Sequence, residues 1–128
     1  MHHFETIDLG PYRGAEHRLV GFVSPAPDPG ETFDPDLDAE AYGVTLARST
    51  PGPRVETVEV VRLDTAHGDP HVDRLFLPVD TNQARKRWLT GSWNYDRMRQ
   101  HILENWQDYV DRYLVYRDGV DESTENGA

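Results

Sequence analysis

Charged and imidazole side chains crowd into one short stretch of the chain, VVRLDTAHGDPHVDRLF at residues 60–76. Metal-independent phosphodiester cleavage needs three groups: a carboxylate that orients an imidazole, an imidazole that moves a proton, and a guanidinium that offsets the charge of a phosphorane. The stretch supplies such groups as Arg62, Asp64, His67 and His71. These residue types therefore make it a candidate catalytic site, with a signal that is weak because no spacing is diagnostic of ribonucleases.

The surrounding residues predict a β-hairpin that positions these groups. Gly and His both tolerate positive φ, so residues 67–68 suit a two-residue type I′ turn. Asp64 then pairs with His71 and Arg62 pairs with Asp73, and all four side chains share one face because pairs two positions apart do so. The same face would carry Val58, Val60 and Leu75, and the other face would carry Val61, Leu63, Val72 and Phe76.

The cluster has two other interpretations. In the first, Asp64 with His71 and Arg62 with Asp73 are ordinary cross-strand ion pairs, each worth up to about 1 kcal/mol. In the second, His67, His71, Asp64 or Asp73 supply ligands to a metal ion, although His-x3-His on a hairpin lacks the shared face that this spacing has on a helix. The cleavage interpretation requires no metal and no other cofactor.

The length, charge and cysteine content of the chain limit its possible functions. A chain of 128 residues has room for one domain with one modest core. Its 23 acidic and 13 basic residues give a net charge of -10, which disfavours a simple electrostatic footprint for nucleic acid. Lys86 is the only lysine, a bias that we expect of a halophilic archaeon, where acidity reflects the solvent. Because the chain has no cysteine, disulfides, iron–sulfur clusters and thiolate zinc sites are excluded.

Hydropathy gives no sign of a membrane segment. No stretch approaches the roughly 20 apolar residues that cross a bilayer, and the first part of the chain lacks the apolar run of a signal peptide. We therefore expect a cytoplasmic protein with no membrane partner.

Periodicity predicts an α+β fold, an antiparallel sheet of about five strands with one long C-terminal helix packed on one face. HFETIDLG and HRLVGFV flank the breaker GPYRG, and YGVTLAR should pair with a strand that begins at Val55. Asn94 is the expected N-cap of the helix. Its apolar stripe comprises Tyr95, Met98, Ile102, Leu103, Trp106, Tyr109, Val110, Tyr113 and Leu114.

Polar segments complete the expected organisation. Residues 24–40 contain four prolines and six acidic residues, which predicts a surface loop. Residues 1–117 should form the single domain and residues 118–128 a disordered polar tail. Arg85, Lys86 and Arg87 form the one local basic patch. Most such runs are solvated loops, but in an enzyme this triplet and Asp73 would contact the substrate.

The block RLDTAHGDPHVD, followed by WLTG and NYDRMRQHILENWQDYVDRYL, resembles a small uncharacterised domain family of archaea and bacteria over about residues 41–115. The hairpin is also similar to those of TumE-type toxins from toxin–antitoxin pairs, suspected RNA-cleaving proteins with a small sheet-plus-helix fold. The resemblance implies a toxin-like ribonuclease with Arg62, Asp64, His67 and His71 as its catalytic positions. RNA would be its substrate and a small antitoxin-like protein its partner.

Two function classes remain open. One is the small metal-independent ribonuclease. The other is a non-catalytic accessory module of a larger assembly, in which the acidic loop and the sheet edge meet a protein partner. A catalytic cluster should be open to solvent in a concave site, whereas an interaction module should show the same groups paired with one another.

Overall fold

A computed structural model describes residues 1–65, 69–74 and 86–126, with the side chains of the last segment as far as Arg117. Within these ranges the chain forms six strands and two helices. In order they are β1 (His2–Tyr12), β2 (Ala15–Ser24), α1 (Pro35–Asp38), β3 (Ala41–Thr50), β4 (Glu56–Asp64), β5 (His71–Arg74), β6 (Lys86–Trp88) and α2 (Tyr95–Asn126).

The strands form one antiparallel sheet in the order β1-β2-β3-β4-β5-β6, so each strand pairs with its neighbour in the chain. Helix α2 packs on β2, β3 and β4, which confirms the predicted α+β class. The described part of the sheet has six strands rather than about five, because Lys86–Trp88 pairs with β5. Three exposed residues carry no alternating apolar pattern by which the sequence could reveal a strand.

The apolar stripe of α2 forms one side of the core, as predicted. Tyr95, Met98, Ile102 and Val110 are buried, and the other stripe residues pack against the core at its margin. The N-cap prediction is also confirmed, since the Asn94 side chain accepts a hydrogen bond from the backbone N–H of Arg97 at 2.8 Å. The helix thereby covers one face of the sheet. The candidate site lies on the other face, here called the open face because α2 does not pack on it.

A bulge in β4 changes one detail of the predicted hairpin. Leu46 pairs with Val61 but Ala47 pairs with Glu59, so Val60 is an extra residue on its strand. Val60 is fully buried in the hydrophobic core and does not accompany Arg62 on the open face. Side chains do not alternate regularly between the two faces at this point, because a bulge adds one residue to the strand and interrupts the period of two.

The acidic loop at residues 24–40 is exposed, as predicted, but it is tied to the rest of the fold. Within it, α1 begins after Asp34, whose carboxylate accepts the backbone N–H of Asp36 at 3.0 Å. The Asp36 carboxylate in turn accepts the backbone N–H of Tyr95 at 2.7 Å, at the first residue of α2. Phe33 packs on Phe4 of β1, with ring centroids 5.8 Å apart. The loop is therefore attached to both the long helix and the sheet edge.

The C-terminal helix is assigned through Asn126. The domain boundary after residue 117 and the disorder of the tail stay predictions. Among the described residues, no helix combines the length and apolar character that crossing a membrane requires.

Candidate functional site

One row of side chains crosses the open face of the whole sheet. Gly43 pairs with Asp64, Asp64 with His71, and His71 with Trp88. The row continues toward β1 through Phe22, the partner of Gly43 on β2. The pairing of Asp64 with His71 and of Arg62 with Asp73 is the predicted register. All four predicted residues of this group therefore lie on one face, on the side away from α2.

His71 is held through both ring nitrogens. Its Nε2 lies 3.0 Å from Oδ1 of Asp64 and 3.2 Å from Oδ2 of Asp73. Its Nδ1 lies 3.2 Å from the backbone carbonyl oxygen of Asp69, which can only accept, so Nδ1 carries a proton. The ring packs edge-on against Trp88 at 5.4 Å between centroids. The side chains of His71 and Asp64 are only 2% and 3% exposed, so these two groups are shielded from solvent.

Arg62 does not form the predicted ion pair with Asp73. Its guanidinium instead donates to Glu59 on the same strand at 2.7 Å, while Asp73 turns toward His71. The Arg62–Glu59 and Asp73–His71 contacts each join residues close in sequence. The bulge in β4 makes the first contact possible, because it places Glu59 on the same face as Arg62. Cross-strand adjacency thus identified the neighbours and the Asp64–His71 ion pair correctly, but not the partner of Arg62.

A recess adjoins the cluster on the open face. It has a volume of about 210 Å³. Its lining residues are Met1, Phe22, Gly43, Glu59, Arg62 and Asp64. The recess is thus lined by two of the predicted catalytic residues, the half-exposed Arg62 and the buried Asp64, and His71 is not among its lining residues.

The two described residues of the predicted basic patch, Lys86 and Arg87, do not share a surface. Lys86 pairs with Asp73 and lies on the open face, with Nζ 5.8 Å from the centroid of the Trp88 ring. Arg87 pairs with Val72 and points to the helix side, since consecutive strand residues alternate. Lys86 and Arg87 therefore lie on opposite faces of the sheet, and their predicted contact with a substrate stays a prediction. Arg85 lies outside the described residues.

His67, the predicted second acid or base, also lies outside the described residues, as does the turn itself. On α2, the ring of His101 is half-buried. Its ring packs on Trp93 and Tyr109, and Nε2 lies 2.8 Å from the Tyr109 hydroxyl. Burial lowers the pKa of His101.

A second buried polar pair lies on the helix side, near the other end of the sheet. Arg48 donates to Nε2 of His17 at 3.0 Å and to the backbone carbonyls of Tyr12 and Arg13. Burial lowers the pKa of His17, and the Arg48 charge lowers it further. His17 is therefore neutral and serves as an acceptor. Trp106 of α2 covers its ring at 5.0 Å between centroids.

The sequence contains a signal for this buried pair. His17 occupies a core-facing position in the alternation of β2, between Ala15 and Leu19. A polar residue at such a position predicts a buried hydrogen-bonding partner. The contact of Asp36 with α2 had no comparable signal, because the two residues it joins are 59 positions apart.

Comparison with known proteins gives one match. A family described as a domain of unknown function, DUF7718, matches residues 38–119. The chain belongs to this family. The matched segment begins at the end of the acidic loop and includes the Asp64–His71 hairpin and most of α2, which confirms the expected membership of an uncharacterised family. Neither the curated proteins nor the solved structures contain a match.

Proposed function

We propose that this DUF7718 protein is a non-catalytic interaction module that binds a basic protein partner through its acidic loop and the adjoining sheet edge. The observation that carries the proposal is Leu37, which is 82% exposed on α1. Single exposed leucines are ordinary. Leu37 differs because six carboxylate residues surround it in the loop sequence and because the turn that presents it is fixed in place.

The fixed conformation of the acidic loop favours binding of a partner. Asp34 caps α1 and Asp36 attaches it to α2, so the apolar side chain of Leu37 is presented by a short helix with defined contacts. A preorganised anchor loses less conformational entropy on association than a mobile one. Apolar anchors with a charged rim are the usual centres of protein interfaces.

The sheet edge extends the same surface. Phe33 of the loop packs on Phe4 of β1, the first strand of the sheet. An edge strand presents backbone N–H and C=O groups that a partner strand can pair with. The acidic loop would attract a basic partner, and the edge would supply directional hydrogen bonds.

The buried cluster also supports a non-catalytic role. Both nitrogens of His71 are engaged by protein oxygens, and the ring is 2% exposed. A general acid or base must come within hydrogen-bond reach of a substrate proton. Mutual pairing of Asp64, His71 and Asp73 is the arrangement expected of an interaction module.

The proposal is tested by partner capture followed by reconstitution. Proteins retained by the tagged domain from a lysate of its host are identified and purified separately, and their affinity is measured by calorimetry. Leu37→Asp should weaken binding at least 10-fold, and affinity should fall as salt increases. Val55→Asp, the same change at another exposed apolar residue, is the control and should bind as the wild type does. Equal affinities for the two variants would contradict the proposal.

A second candidate function, toxin-like metal-independent RNA cleavage, is favoured by the recess. Arg62 and Asp64 line it together, which would place a guanidinium near a bound phosphate. Trp88, 56% exposed at the end of the same row, offers a ring on which a base could stack. In this candidate Asp64 orients His71, and an antitoxin-like protein would be the partner.

A further inference from the structure

We propose that Asp64, His71 and Asp73 bind a divalent transition-metal ion of the zinc type. One nitrogen and two carboxylate oxygens, one from each side chain, lie within 4.8 Å of one another. Imidazole and carboxylate together suit ions such as Zn²⁺ and Mn²⁺. The proposal is independent of the interaction function, because it concerns the open face near β5 and not the acidic loop.

The spacing of the ligand atoms fits a common cation. Two ligand atoms bound at about 2.1 Å and separated by about 90–110° lie roughly 3.0–3.4 Å from each other. Nε2 of His71 lies 3.0 Å and 3.2 Å from the nearest oxygens of Asp64 and Asp73. Both distances from the imidazole nitrogen to a carboxylate oxygen therefore match the spacing of ligands on one ion.

The outer contacts of His71 are those of a metal ligand. Its Nδ1–H donates to the carbonyl oxygen of Asp69, which orients the ring and directs Nε2 toward the two carboxylates. Metal-bound histidines almost always donate their other ring nitrogen to a carbonyl or carboxylate in this way. The β4–β5 register further fixes Asp64 opposite His71.

Charge balance points the same way. The carboxylates of Asp64 and Asp73 are 3% and 15% exposed. Shielded carboxylates require nearby positive charge. A divalent ion between the two carboxylates would supply positive charge to both of them. Three protein ligands leave at least one coordination position for water or a partner's side chain.

The test measures Zn²⁺ binding by calorimetry to the full chain purified with a chelator and then freed of it. All proteins carry His2→Gln and His3→Gln, because adjacent surface imidazoles bind Zn²⁺ by themselves. The parent protein should bind one equivalent with micromolar or tighter affinity. Asp73→Asn should weaken binding at least 10-fold. Asp69→Asn is the matched control in the same hairpin, since only the backbone of Asp69 is used, and it should change affinity less than 2-fold.

A second measurement needs no substitution in the cluster. Nitrogen-15 spectra of the histidine rings should show one equivalent of Zn²⁺ shifting the Nε2 signal of His71 while Nδ1 keeps its proton. Zn²⁺ that leaves the His71 signals unchanged would overturn the proposal, as would equal affinities for Asp73→Asn and Asp69→Asn. In that case the contacts of His71 with the two carboxylates serve only to hold β4 and β5 together.

Discussion

Gly43 lies directly opposite Asp64 on the neighbouring strand, so close that a side chain at position 43 would collide with it. A Cβ atom on Gly43 would lie 2.5 Å from Cβ of Asp64 and 2.8 Å from the carbonyl oxygen of Leu63. Real Cβ atoms do not approach other atoms so closely. The glycine therefore keeps β3 and β4 close together beside the cluster and leaves the Asp64 side chain in contact with His71.

Gly43→Ala should lower the free energy of unfolding by about 1–3 kcal/mol, the usual cost of inserting a methyl group into a filled site. Urea denaturation followed by circular dichroism measures the change. Gly52→Ala is the control, because a Cβ there would meet only the carbonyl oxygen of Arg54 at 3.5 Å. Similar unfolding free energies for the two variants would show that β3 and β4 can separate without cost.

Asp36→Ala should destabilise the fold by about 0.5–2 kcal/mol, because it removes a carboxylate that accepts a backbone N–H at the start of α2. Asp28→Ala removes an exposed carboxylate from the same loop and serves as the control. Thermal unfolding of both variants gives the comparison. A loss no larger than that of Asp28→Ala would mean that the loop contributes nothing to the helix N-terminus.

Stability should depend on the neutral state of His17. Because its folded pKa is lowered from 6.5, the unfolded chain takes up this proton first as the pH falls, so the contribution of His17 is present above about pH 6.5 and decreases below it. The decrease is at most about 1.4 kcal/mol per pH unit. His101, whose pKa is lowered by burial, adds to the effect in the same direction.

The measurement compares wild type with His17→Gln by urea denaturation between pH 7.5 and 5, at constant salt. Gln can still accept from Arg48 but does not titrate, so the stability difference between the two proteins should shrink as the pH falls. His2→Gln, at an exposed position, should show no such trend. A difference that stays constant would mean that His17 has its ordinary pKa.

Purified protein should leave RNA intact, because His71 is shielded and paired. Total RNA incubated at high and low salt, analysed by electrophoresis, tests this expectation. If the wild-type protein does cleave RNA and the catalytic site lies on the open face, His71→Ala and Arg62→Ala should abolish cleavage. Their circular-dichroism spectra should remain unchanged. Arg18→Ala, an exposed arginine elsewhere on that face, should then remain active. Cleavage with this pattern would favour the toxin-like ribonuclease over the interaction module.

Local patterns in the sequence were sufficient to predict the elements and one key register. The stripe from Tyr95 to Val110 has helical spacing because an α-helix repeats every 3.6 residues, and its burial follows from that spacing. Asp64 faces His71, which is the pairing that the predicted two-residue turn implies. Such features depend on nearby backbone geometry, which neighbouring residue types restrict.

Other features were decided only by the tertiary structure. Arg62 has several acidic neighbours and forms its ion pair with Glu59 rather than with Asp73. This outcome depends on the bulge in β4 and on differences of about a few tenths of a kcal/mol between alternative ion pairs. Residues 86–88 form the short strand β6 because β5 offers an edge with which they can pair. This pairing places Lys86 and Arg87 on opposite faces of the sheet.

The sequence by itself determined which groups could meet in the hairpin, because backbone periodicity is a local property. Their exposure was decided by segments far apart in the chain. Trp88 packs on His71, and Gly43 allows Asp64 a close approach, neither of which the hairpin sequence contains. Burial depends on which surfaces pack together, and it determines here whether an imidazole contacts solvent, a carboxylate or a metal ion.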